Sequence, residues 1–249
     1  ALINGMKDYP VRAFFLAPPL TPPFPKLENS LGLSIKEFAE LLKRNDFVGI
    51  GEAYWTRVVD ADKQILDQIS AALSVNKRLD GHAAGARGKR LIEYALTGIT
   101  SCHESISMEE LLEKLKIGMY VMIREGSIRQ ELPELSRIKD LSLDTRRIML
   151  VSDFFDAVML TEKGYLDFIG RKANAFGISP IETIKMMTIN PADYYGLRYL
   201  GALAPLRYAD ILFLSDLEQI AIEKVMANGE IVLESDTFKP RLRRHTYPE

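Results

Sequence analysis

From Val11 to about residue 190, short apolar runs rich in Val, Ile and Phe alternate with longer stretches whose apolar positions recur at helical spacing. Strands buried on both faces read as continuous apolar runs, and the crossovers between parallel strands are helices, so this alternation predicts repeated βα units around a parallel sheet. The predicted strands are residues 11–16, 47–51, 78–81, 98–101, 120–124 and 147–152. Three helix starts carry a hydroxyl three residues ahead of a carboxylate, the spacing of a capping box: Ser34 with Glu37, Ser107 with Glu110, and Ser179 with Glu182. Pro180 suits a first helical turn.

The pattern contains about six βα units, whereas a closed (β/α)₈ TIM-type barrel needs eight. Either two units precede Ala1 or the sheet is an open, doubly wound one. From about Gly201 the pattern becomes short alternating strands at residues 210–214, 224–227 and 231–233, with Asn228-Gly229 as a two-residue hairpin turn. The expected organisation is therefore a partial α/β barrel over residues 1–200 and a small β appendage with a basic tail over 201–249. The proline-dense stretch at residues 18–25 is expected to form a rigid loop over a strand end. The basic run at 241–244 reads as a solvated terminus.

Composition narrows the function classes. With 47% hydrophobic and 27% charged residues the chain can bury a large core, and a net charge of -2 gives no reason to expect nucleic acid or an anionic membrane as a partner. The single cysteine, Cys102, excludes an intrachain disulfide and fits a reducing, cytoplasmic compartment. A buried, inert thiol is the favoured reading of it. No apolar run approaches the roughly 18 residues that span a bilayer. The chain begins at Ala1 rather than Met, so upstream residues are expected.

In a parallel barrel the chemistry sits at the C-terminal ends of the strands. Glu52 follows the second predicted strand, His82 the third, His103 and Glu104 the fourth, and Asp153 the sixth. Imidazole and carboxylate groups gathered from separate strands suit a Mn, Fe or Zn site with open positions. Such a site activates water; Asp153 is the natural base, and Glu104 or His103 can give a proton to a leaving group. Each of these residues has a plainer reading, since strand-end carboxylates often only cap helices or form ion pairs. The small, glycine-rich surroundings of His82, running from Asp80 to Gly85, suit close approach of a ligand. Tyr54 and Trp55 are candidates for lining a pocket for a flat molecule, with core packing as the alternative.

The segment Asp80–Glu104, DGHAAGARGKRLIEYALTGITSCHE, resembles the pattern of bacterial and archaeal adenine deaminases, metal-dependent members of the amidohydrolase superfamily. The likeness continues through LEKLKIGMYVMIREG at 112–126, LVSD at 150–153 and NPADYYGL at 190–197, and into the closing β segments, covering most of the chain. It implies a binuclear Mn or Fe centre, with Zn as the alternative. Glu52 would be the bridging carboxylate, His82 and His103 the imidazole ligands, Asp153 a ligand and proton-transfer group, and Glu104 an acid facing the substrate. The implied reaction is hydrolytic deamination of adenine by a homo-oligomer, expected as a dimer.

Three features depart from that pattern. The family's His-x-His pair is absent, Phe154-Phe155-Asp156 replaces Asp-Arg-His-Pro, and Tyr54-Trp55-Thr56 replaces Met-Asn-Phe. Loss of two upstream βα units would account for the first and for the strand count. The other two bear on substrate choice, leaving another cyclic amide or amine, or a catalytically inactive binding protein, as alternatives.

Overall fold

The computed structural model describes residues 6, 9–19 and 32–240. Six strands form one parallel sheet in chain order: β1 (Phe15–Ala17), β2 (Phe47–Tyr54), β3 (Arg78–His82), β4 (Ser101–Cys102), β5 (Tyr120–Arg124) and β6 (Ile148–Val151). A doubly wound sheet reverses its strand order at a switch point. This one never does, so successive right-handed crossovers stack their helices on one face, as in a barrel wall.

The strand pleat separates the two faces. Val121, Ile123, Ile148 and Leu150 point outward and pack with Leu111, Ile169 and Met186 from the covering helices. Those helices are α5 (Met108–Lys116), α8 (Leu166–Ala175) and α9 (Pro180–Met187), numbered after α1 (Ile35–Leu42), α2 (Trp55–Val59), α3 (Lys63–Ser74), α4 (Gly88–Leu96), α6 (Leu132–Leu135) and α7 (Ala157–Lys163). A second outward cluster joins Ile50 and Leu79 to Phe38, Leu42, Ile65 and Leu91. Each such fully buried aliphatic side chain contributes roughly 1.5–3 kcal/mol. On the inner face, Met122 and Met149 pack on Tyr194 at the end of α10 (Ile189–Tyr194). The Tyr194 hydroxyl lies 3.2 Å from the Leu79 carbonyl.

The predicted strands recur with shifted ends, and each shift has a cause. The first begins at Phe15 rather than Val11, because Arg12 is drawn away to Asp210 at 2.9 Å and lies 3.6 Å over the Tyr208 ring. The fourth begins at Ser101 rather than Gly98, because Gly98 (φ 96°) follows the last turn of α4 and closes it. The second runs on through Glu52 to Tyr54. Ser34 and Glu37 form the expected capping box, and Ser107 caps α5. Ser179 makes no side-chain cap, since Glu182 is taken by Thr145 and by Lys185 at 2.7 Å.

A separate antiparallel sheet, ordered β10-β9-β8-β7, holds β7 (Ile211–Asp216), β8 (Ala221–Ala227), β9 (Glu230–Glu234) and β10 (Thr237–Phe238). Asn228 (φ 52°) and Gly229 (φ 82°) turn the β8–β9 hairpin as the sequence predicts. Strand β10 was not expected from the sequence. The proline-dense loop from residue 20 onward and the basic run at 241–244 lie outside the described residues.

Candidate active site

Three of the sequence-predicted residues converge. One ligand atom each from Glu52, His82 and His103 lies within 4.8 Å of the others. His82 ends β3 and His103 directly follows β4, so adjacent parallel strands bring the two rings to 5.1 Å, edge to face. Glu52 reaches them through a bulge. Ile50 pairs with Leu79 but Ala53 with Gly81, which leaves one extra residue in β2, and Glu52 sits at φ 55°. For a residue with a Cβ that conformation costs of order 1 kcal/mol or more, and the surrounding pairing holds it in place.

The His82 ring is oriented from two sides. Its Nε2 lies 2.7 Å from Glu104 Oε1, and the Tyr54 ring centroid is 4.2 Å from its own. The Glu104 pairing assigns the proton to Nε2, which leaves a lone pair on Nδ1. Nδ1 is buried and has no protein partner among the described residues. A buried polar atom left unpaired is costly, and a cation ligated at Nδ1 would satisfy it. Two imidazoles and a carboxylate are a suitable donor set for a divalent transition metal, so the residues present fit such an ion.

Burial, followed by the neighbouring His82, pushes the His103 pKa down and favours the neutral ring that ligation requires. Burial alone would raise the Glu104 carboxyl. The hydrogen bond from His82 and the Ala84 N–H at 3.1 Å outweigh it, and the net shift is downward.

Asp153 is not one of these three, but its charge acts on the His103 ring. It occupies the turn after β6 at φ 62°, with Oδ2 3.2 Å from Arg124 Nη1. The turn after β5 clasps it, through bonds from Glu125 N to Val151 O and from Ser127 N to Phe154 O, both 2.9 Å. A Cβ on Gly126 would stand 2.3 Å from the Ser152 and Phe154 carbonyl oxygens, so only glycine lets the two turns approach this closely.

Trp55 donates from Nε1 to the Ala84 carbonyl at 2.9 Å and packs on the outward core, which ties down the segment carrying Gly85. Gly85 itself is exposed at φ 70°. Cys102 is buried, and burial raises its thiol pKa, as expected of an inert core cysteine.

Sequence reasoning missed three neighbours of these candidates. Arg124 is one, and its signal was its place as the last inward residue of β5. Asp80 is another, buried with Ser101 Oγ and the Tyr195 hydroxyl each at 2.5 Å. The third is Tyr94, whose buried hydroxyl accepts the His82 N–H at 2.9 Å and donates to the Ala53 carbonyl, tying β2 to β3 beside the site. Tyr94→Phe is expected to cost about 1–3 kcal/mol by stranding that N–H and carbonyl. Urea denaturation checks this, and an unchanged midpoint would contradict it.

The sequence matches the model of the Amidohydrolase family over residues 1–232. It is 34% identical over 263 residues to adenine deaminase 1 of Carboxydothermus hydrogenoformans, a match covering 100% of this chain and 43% of that protein. It is 35% identical over 250 residues to the adenine deaminase of Archaeoglobus fulgidus, covering 100% of this chain and 42% of that one. The chain thus spans less than half the length of the curated relatives it matches. Among solved structures, a beta-aspartyl dipeptidase of Fervidobacterium islandicum AW-1 aligns with a TM-score of 0.60 at 19% identity, over 82% of this chain and 61% of that one. That likeness concerns the fold, a barrel to which the described residues contribute six consecutive parallel strands.

Proposed function

This chain belongs to the amidohydrolase family, and from that premise we propose that it serves the hydrolytic deamination of adenine to hypoxanthine and ammonia. The observation that carries the reading is the meeting of Glu52, His82 and His103 at neighbouring strand ends, with His82 Nδ1 buried and without a partner among the described residues. Identity to adenine deaminases along the full length of the chain supports the choice of substrate.

Glu52, His82 and His103 would hold a divalent ion, with Asp153 as a further ligand of a binuclear Mn or Fe centre and Zn as the alternative. When bound, the ion supplies Lewis acidity that brings the pKa of a coordinated water down to near neutrality. Glu104 holds the His82 ring through Nε2 and so keeps Nδ1 aimed at the site. Asp153 accepts a proton from the water that adds to the amino-bearing ring carbon and returns it to the departing amine, so that adenine and water give hypoxanthine and ammonia. Glu104 or His103 would exchange the ring proton. Tyr54 offers a flat face beside His82 for the purine, and Trp55 and Gly85 shape the adjoining segment.

Within the same reading, residues 1–200 form the barrel part and 201–249 an appendage of the amidohydrolase β-sandwich. The protein works in cytoplasmic purine metabolism as a homodimer. Among the described residues no helix is long and apolar enough to cross a membrane.

The test is elemental analysis of protein expressed from the complete gene, with ammonia release from adenine assayed on the same sample. About two equivalents of Mn, Fe or Zn together with turnover are expected. Metal without turnover would redirect the substrate to another cyclic amine or amide, and absence of metal would sink the reading.

A further inference from the structure

We propose that Arg124 is a positioning residue that sets the geometry of both carboxylates flanking the metal ligands, Asp153 and Glu104; the proposal rests on the metal site of the preceding section. Tyr120, Met122 and Arg124 alternate with the outward Val121 and Ile123, so Arg124 is the last inward side chain of β5. It is 4% exposed and stands between the turns that end β4 and β6. Glu131 takes two edges of its guanidinium, Nε at 3.2 Å and Nη2 at 2.8 Å. That forked pairing fixes the plane of the group and leaves Nη1 directed at Asp153 Oδ2, 3.2 Å away, with Glu104 Oε1 at 3.9 Å.

Glu131 is itself fixed, since its backbone N–H donates to the Arg124 carbonyl at 3.0 Å. A buried guanidinium must be matched by negative partners, and here three carboxylates from three segments supply the match. One planar cation therefore couples the Asp153 turn, held at positive φ, to the Glu104 that orients His82. Lysine carries the charge but not the rigid fork, so it would not reproduce the arrangement.

The test compares Arg124→Gln and Arg124→Lys in the complete protein by three readouts: Mn²⁺ affinity in competition with a chelating indicator, kcat and KM for adenine, and thermal melting. If Arg124 acted only as a nearby positive charge, its removal would tighten cation binding. If it positions the carboxylates, removal loosens binding, and Arg124→Gln is expected to weaken Mn²⁺ binding about tenfold or more. In the same variant kcat should fall roughly a hundredfold while KM stays within about threefold. Arg124→Lys should melt close to the parent and still bind Mn²⁺ weakly, which keeps the test decisive if the glutamine variant does not fold.

Unchanged or tighter Mn²⁺ binding in either folded variant overturns the proposal. A parent protein that binds Mn²⁺ without deaminating adenine overturns the substrate reading alone, because the affinity comparison still decides the role of Arg124. A parent that binds no Mn²⁺ overturns both.

Discussion

His82→Ala in the complete protein is expected to strip most of the bound metal and to cut adenine deamination by roughly a hundredfold or more, beyond what loss of a group that merely orients a ligand would cause. The substitution removes the Nδ1 donor and also takes away the partner of Glu104 Oε1. The backbone contact survives, because Tyr94 accepts the main-chain N–H of residue 82 and not its ring. Folding should therefore persist, with a cooperative melt accompanying the loss of metal. Elemental analysis and ammonia release on one preparation check this. Activity within a few-fold of the parent at full metal content would remove His82 from the site.

Asp153→Asn tests a different function with nearly the same shape. The amide oxygen can still accept from Arg124 Nη1, so the turn after β6 should keep its conformation. An amide cannot take a proton from water near neutral pH, and loss of a general base costs about 10²–10⁴ in rate. The expected result is a protein with the parent's melting temperature, a kcat lower by that range and a much smaller change in KM. Because Asp153 stands outside the cluster formed by Glu52, His82 and His103, a partial retention of metal is expected here, in contrast to His82→Ala. A kcat near the parent's would dismiss Asp153 as the base.

The two variants together compare loss of a ligand in the Glu52–His82–His103 group with loss of the proton-transfer carboxylate. That comparison matters because the departures from the adenine deaminase pattern fall beside the candidate site. Tyr54 lies against His82, and Phe154 follows Asp153 with half of its surface exposed. A change of substrate would leave both variants defective while altering which amine or amide the parent hydrolyses.

The strands, their parallel order and the polar residues at their ends were legible in the chain because they are local properties. Apolar runs declare strands, hydroxyl-to-carboxylate spacings declare helix starts, and Asn228-Gly229 declares a hairpin, each within a few residues. For the same reason the candidates Glu52, His82, His103, Glu104 and Asp153 could be read from position along the strands alone. Whether they meet was settled by contacts distant in sequence. Glu52 turns toward the histidines only because β2 gains a residue against β3, a register that neither strand encodes by itself. Asp153 goes to Arg124 because a buried guanidinium needs compensating charge, and that charge is gathered from segments after β4, β5 and β6. Local pattern thus determined the framework and the inventory of chemical groups, while the pairing of buried charge and strand register in three dimensions decided which of them come together.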